Sequence, residues 1–290
     1  MTDPHDIGTA GGAADWPLSV LIAARDEEDY LPGCLSALLA QDRAAPASEI
    51  IVAANGCRDR TVAVAQSFGA QFAARGWALV VLDLADGGKL AALNAAEQRA
   101  RGAALVYLDA DVRCEPALLG QLQQALDVAQ PRYATGTLAV QPARSWVTRA
   151  YAGFWTRLPF VRGGAVGAGL FAVNRAGRAR WGEFPEIISD DTFVRLNFAP
   201  DERIEVPARY HWPMVEGFAN LVRVRRRQDR GVAEVNRQFP ALTANARKTA
   251  PEARDLAGLM LSAPVGFGVY LAVHLAVRLR RSTADWTRGR

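Results

Sequence analysis

Cysteine, histidine and lysine are all scarce in this 290-residue chain. Its three cysteines, Cys34, Cys57 and Cys114, stand far apart with no C-x-x-C pair, which excludes a disulfide framework or a thiolate zinc site and fits a reducing compartment. His5, His211 and His274 are equally scattered, so no histidine-built metal centre is expected. Only Lys89 and Lys248 are lysines among 34 basic residues set against 30 acidic ones, so the +4 charge is carried by arginine, and that skew weakens any argument from arginine clusters alone. A secretory signal is absent too. Residues 1–16 carry Asp3, Asp6 and Asp15 among glycines and alanines, without a basic start or an apolar stretch, and read as a disordered leader on a cytosolic protein. With 50% apolar and 22% charged residues, general disorder is excluded. No internal repeat or long low-complexity tract is present.

What the chain does contain is alternation. Leu18–Ala23 is a short apolar run rich in β-branched residues that ends in the polar cluster Arg25–Asp29, the pattern of a buried parallel strand leading into a loop. Helical spacing follows over residues 31–41, with Leu31, Leu35, Leu38 and Leu39 on one face. The same reading predicts strands at 49–53, 78–82 and 104–108, and helices at 59–68 and 89–101. Strands joined by helices of such length imply right-handed crossovers and a largely parallel sheet covered on both faces. Residues 17–115 therefore read as an α/β nucleotide-binding half. Beyond it lie an aromatic cluster, Trp146, Tyr151, Phe154, Trp155 and Phe160, and the glycine-rich segment Gly163–Gly169.

Ligands of open α/β sheets bind beyond the carboxyl ends of the strands, so polar residues directly after apolar runs are the first candidates. Four places qualify: Arg25-Asp26-Glu27, Asn55 to Asp59, Asp83, and Asp109-Ala110-Asp111. In the last, two carboxylates at i and i+2 close a strand. There they supply hard oxygen ligands for Mg²⁺ or Mn²⁺, or Asp111 serves as a helix cap.

Four segments, residues 19–28, 52–61, 88–94 and 106–112, occur in order with helix-length spacers. Together with Ser189-Asp190-Asp191-Thr192 they resemble the family 2 glycosyltransferases, whose catalytic domain has the GT-A fold, over residues 17–235. The resemblance implies a mixed, mostly parallel sheet flanked by helices, with an acceptor half at 116–235. It implies a nucleoside diphosphate sugar donor, UDP-linked, and transfer with inversion to a hydroxyl acceptor with the help of Mn²⁺ or Mg²⁺. By position, Asp111 and Asp109 would hold the metal, and Asp109 would also face the ribose. Arg25, Glu27 and Lys89 would lie at the nucleotide, and Asn55 stands where the family commonly has an aspartate that reads the base. Asp191 would be the general base, with Asp190 orienting the acceptor or tuning it. Arg227 and Arg230 keep the spacing of a phosphate-contacting Q-x-x-R-W motif, although Gly231 replaces its tryptophan. Trp181 offers a face for a sugar ring, or is a core residue.

Residues 236–290 form a C-terminal helical, membrane-associated segment in this reading. Residues 256–277 carry no formal charge but are interrupted by Pro264, Gly266 and Gly268. A single span would export Arg278, Arg280, Arg281, Arg288 and Arg290 against the positive-inside tendency. The expectation is a broken helix or helical hairpin lying over 256–281 on the cytosolic face of the cell membrane, with a single span and a packed core helix as the other arrangements. An apolar tail suggests a lipid-linked or envelope glycan acceptor. Two rival classes fit less well. A sugar-phosphate nucleotidyltransferase needs a glycine-rich basic loop after the first strand, and Ala23–Glu27 is not one. A basic module binding membrane or nucleic acid through Arg223–Arg230 leaves Asp109, Asp111, Asp190 and Asp191 unexplained, so nucleic acid is not expected as a partner.

Overall fold

The computed structural model describes residues 16–246 and 253–279. The leader reading lies outside the described residues, apart from Trp16. In chain order the regular elements are β1 (Trp16–Ala24), α1 (Leu31–Leu39), β2 (Ser48–Asn55), α2 (Thr61–Ser67), α3 (Gly69–Ala74), β3 (Ala78–Leu84), α4 (Lys89–Arg99) and β4 (Gly102–Leu108). They continue with β5 (Arg113–Cys114), α5 (Leu118–Leu126), β6 (Tyr133–Val140), α6 (Trp146–Trp155), β7 (Leu170–Asn174), α7 (Arg175–Arg178), α8 (Asp190–Leu196), β8 (Arg203–Trp212), α9 (Phe218–Gln238), α10 (Ala253–Ser262) and α11 (Pro264–Leu279). The strands form one sheet in the order β3-β2-β1-β4-β7-β6-β8-β5. β3, β2, β1 and β4 are mutually parallel, whereas β7 runs antiparallel to both β4 and β6. This is a mixed sheet of the GT-A type flanked by helices.

Period-two alternation sends one strand's apolar residues to both faces, which explains why parallel strands read as unbroken apolar runs. In β1, Leu18, Val20 and Ile22 join the core beneath α1 and α5, while Leu21 joins the opposite core beneath α4 and α8. β4 repeats the division with Val106 against Tyr107. The helix expected over 59–68 begins two residues later and is followed by a second short helix. Asp59 accepts hydrogen bonds from the Thr61 amide (2.9 Å), the Thr61 hydroxyl (2.5 Å) and the Glu28 amide (3.1 Å), and so ends the loop rather than entering the helix.

The C-terminal apolar stretch is broken, as the interruptions predict. α10 ends at Ser262 and α11 starts at Pro264, whose ring cannot continue the preceding helix's hydrogen bonding. Among the described residues no helix is long and apolar enough to cross a membrane. α11 rests on α6 and α9. A Cβ at Gly266 would fall 2.8 Å from the Ala150 carbonyl oxygen and 3.0 Å from Phe154 Cβ, so only glycine permits this approach. Tyr270 packs against Tyr151 and Phe154, Val273 is buried, and Arg226 donates to the Ala276 carbonyl at 2.6 Å.

Candidate active site

Because β1 and β4 are parallel neighbours, their carboxyl ends lie side by side, and β7 returns beside β4. Asp109 follows β4 directly, and its amide donates to the Gly169 carbonyl at 2.9 Å. Gly169 has φ +77, and a Cβ there would fall 2.7 Å from Trp212 Cδ1, so this close lacing of the two strand ends needs glycine. Lys89 opens α4 after Gly88, and Asp190 and Asp191 open α8. The Lys89 ammonium lies 2.9 Å from Asp109 Oδ1 and 2.9 Å from Asp190 Oδ2, bridging carboxylates that the sequence holds far apart. These groups line a cavity of about 190 Å³ together with Tyr107, Trp212 and Arg227.

The electrostatics follow from this crowding. Burial alone would pull the Lys89 pKa down, but the charges of Asp109 and Asp190 and their hydrogen bonds outweigh it and raise it, so the side chain stays an ammonium. Burial and the neighbouring Asp190 charge push Asp191 up from 3.8 to about 6, against the Thr192 amide and Lys89, which both lower it. That Thr192 amide donates to Asp191 Oδ1 at 2.6 Å, while the Ser189 side chain at the cap position makes no capping hydrogen bond. Two carboxylates in the first turn of a helix also gain from its positive end.

A second cavity of about 270 Å³ shares Ala168, Ser189, Asp191 and Gln228 with the first. Asp191 therefore faces both chambers. The lining of the larger chamber is part apolar, with Trp155, Phe160 and Val166, and part charged, with Arg195, Arg225 and Asp229. Arg225 is paired with Asp229 at 2.9 Å. Arg195 escapes sequence reading, although its position four residues after Asp191 on α8 is a signal that both reach the same side of that helix.

The candidates thus divide. Lys89, Asp109, Asp190, Asp191 and Arg227 come together in one cavity. Arg25 and Glu27 stand at the same end of the sheet but line neither cavity. Arg25 packs its guanidinium against Gly87, and the Glu27 amide donates to the Thr61 hydroxyl at 2.7 Å. Asn55 braces the loops around it. Its buried amide donates to the Ala24 carbonyl (2.9 Å) and the Ala53 carbonyl (3.4 Å) and accepts from the Gly88 amide (3.1 Å), which leaves no donor for a ligand. Arg230 is exposed and lines neither cavity, because the helical turn that aims Arg227 inward carries Arg230 away. Trp181 also stays out of the cavities. It packs with Phe184, Phe193 and Phe198 under the Arg178 guanidinium, so it is a core residue.

For a divalent ion, the donor set is informative. Asp109 lines the cavity and Asp111 is half-buried in the turn beyond it. Two carboxylates suit a hard cation whose remaining positions are filled by water and phosphate oxygens, and an ion on Asp109 would displace the Lys89 ammonium or share the carboxylate with it. Among the described residues, Asp26, Cys57 and Asp59 also approach one another closely. Their carboxylates are engaged by backbone amides, those of Arg58 on Asp26 (2.7 Å) and of Thr61 on Asp59, so they support the loop.

A sequence profile of the Glycosyl transferase family 2 matches residues 19–174, more than half of the chain. The protein belongs to that family, and it is a glycosyltransferase. No curated protein matches the chain. Among solved structures, it is similar to the mannosyltransferase PcManGT from Pyrobaculum calidifontis, in complex with GDP-Man and Mn²⁺. There the identity is 19%, 92% of this chain and 76% of that one are covered, and the TM-score is 0.59. It is also similar to S. aureus TarS 1-349 in complex with UDP, at 15% identity, 92% and 94% coverage and a TM-score of 0.52. TarS 1-349 with UDP-GlcNAc matches at 15% identity, 90% and 91% coverage and a TM-score of 0.51.

Proposed function

We propose that this glycosyltransferase moves a hexose, with inversion, from a nucleoside diphosphate donor in the smaller chamber to a hydroxyl of an acceptor in the larger one. The observation that carries the reading is Asp191, which faces both chambers and has a pKa raised to about 6 by burial and by Asp190. A carboxylate that is mostly ionised at neutral pH yet unusually basic suits a general base. Asp191 takes the proton of the acceptor hydroxyl as that oxygen bonds to the anomeric carbon. The bond from that carbon to the diphosphate breaks, and the diphosphate leaves with the electron pair. Attack from the chamber opposite the leaving group gives inversion.

Asp109 and Asp111 would hold Mn²⁺ or Mg²⁺, which when bound offsets charge on the diphosphate as a Lewis acid. Arg227 and Lys89, both cationic and in the smaller chamber, are placed to meet the phosphates. UDP-linked sugars are the first donors to test and GDP-linked sugars the second. Calorimetry of UDP and GDP with and without Mn²⁺ tests the donor assignment. The expected result is an Mn²⁺-dependent gain for one nucleotide that Asp111→Asn abolishes. A gain that survives in both Asp109→Asn and Asp111→Asn removes these residues from the site.

The reading also places the protein on the cytosolic face of a membrane, acting on a lipid-linked or envelope glycan acceptor. Support comes from an outward stripe on α10 and α11, where Leu261 (84% exposed), Val265 (65%), Leu271, Leu275 and Leu279 (81%) stay uncovered. Arg278 precedes Leu279 at the end of the stripe, and Arg280 and Arg281 follow it in the sequence, a charge pattern suited to anionic headgroups. Flotation with phosphatidylglycerol vesicles tests this. Leu275→Glu with Leu279→Glu is expected to leave the protein at the bottom of the gradient, and co-flotation of that variant refutes the surface.

A further inference from the structure

We infer that the larger chamber selects an acceptor that carries an anionic group, and that Arg195 is the residue that reads it. The inference deepens the glycosyl-transfer reading and rests on it.

The two arginines of this chamber differ. Arg225 is neutralised by Asp229 at 2.9 Å. Arg195 is half-buried and has no ion pair among the described residues. Its spacing from Asp191 is the one at which salt bridges along a helix ordinarily close. Here Asp191 instead accepts from the Thr192 amide, and that contact does not form. The guanidinium is partly open to solvent and shares the chamber with Asp191 and Asp229 without an ion pair to either among the described residues, so it is available to an anionic ligand that approaches it directly. Its planar fork suits phosphate or carboxylate, which accept two parallel hydrogen bonds from it.

The aromatic part of the lining says what the rest of the acceptor looks like. Trp155 and Phe160 stand with ring centroids 6.3 Å apart at 75°, and Phe160 is 46% exposed. Such a pair offers an apolar surface to the face of a sugar ring or to an alkyl chain. With Asp191 also lining the chamber, an acceptor can place a hydroxyl on the base, its anion on Arg195 and its apolar face on the aromatic pair. Arg195 is thus a specificity residue, and Asp191 remains the group that takes the proton.

The test is isothermal titration of the full chain, saturated with Mn²⁺ and whichever of UDP and GDP binds, using glucose, glucose 6-phosphate and glucuronate as probes. The expected result is that at least one anionic sugar binds about tenfold or more tightly than glucose, the range for a hydrogen bond to a charged group. Whether phosphate or carboxylate binds more tightly identifies the anion. Arg195→Gln is expected to erase the preference and Arg195→Lys to keep part of it, with circular dichroism confirming that both fold. A preference that persists in Arg195→Gln overturns the inference. So does equal binding, or no binding, of all three sugars. In those cases Mn²⁺-dependent nucleotide binding leaves the donor reading standing, whereas its absence from the parent protein overturns both.

Discussion

Lys89 and Asp190 open different helices, α4 and α8, yet their charged atoms meet at 2.9 Å, and the same ammonium reaches Asp109 at the end of β4. One cation thereby joins the end of β4 to the start of α8, the helix that carries the proposed base. Replacing Lys89 with methionine leaves the buried Asp190 carboxylate without that partner. Because the lysine side chain is 42% exposed, the full cost of breaking a buried pair is discounted to about 1–2 kcal/mol. Urea denaturation of Lys89→Met measures it, and unchanged stability shows the bridge to be incidental.

Asp191→Asn keeps the shape of the site but removes the proton acceptor. The expected outcome is a loss of about 10²–10⁴-fold in kcat with nucleotide affinity unchanged, the usual contribution of general base catalysis. Transfer at the parent rate would remove Asp191 from that role.

The rate should also report the charge of this residue. With its pKa raised to about 6, Asp191 is ionised above that pH, so kcat should fall about tenfold per pH unit below it. Asp190→Asn removes the neighbouring negative charge that helps raise the value, so the acid limb should move to lower pH. A limb that stays in place in Asp190→Asn assigns it to another group.

Asn55 gives a contrast between recognition and support. An aspartate there sets a carboxylate against the carbonyl oxygens of Ala24 and Ala53 in a buried position. Asn55→Asp should cost about 2–3 kcal/mol of stability and leave the ratio of UDP to GDP affinity unchanged. A changed ratio with full stability would restore it as a base reader.

Gly266→Val tests the seat of α11. The added side chain meets the Ala150 carbonyl and Phe154, and overpacking of this kind costs about 1–3 kcal/mol. A lowered melting temperature is the expected reading, and an unchanged one places α11 elsewhere in solution.

The parallel core was legible because a strand buried on both faces leaves an unbroken apolar run, and β1, β2 and β4 are such runs. Asp109 stood out because it closes an apolar strand, whereas Lys89, Asp190 and Asp191 were singled out only through the ordered motifs that resemble the family. Arg195 was not, since nothing local distinguishes an unpaired arginine from a solvated one. What Asn55 and Arg230 face was not legible for a related reason. Motif spacing gives position along the chain, but whether an amide faces a ligand or a carbonyl, and which way a helical turn points, depends on packing partners distant in sequence.

The amino-acid sequence by itself determined the alternation of strands and helices, the carboxylates at their ends and the break at Pro264, all of which follow from short-range periodicity and backbone chemistry. Only the tertiary structure decided that one lysine bridges Asp109 and Asp190, that Asp191 faces two chambers, and that Arg195 stands in the larger one with no ion pair among the described residues. Charge and desolvation act through space, and the sheet brings together groups that the chain keeps far apart.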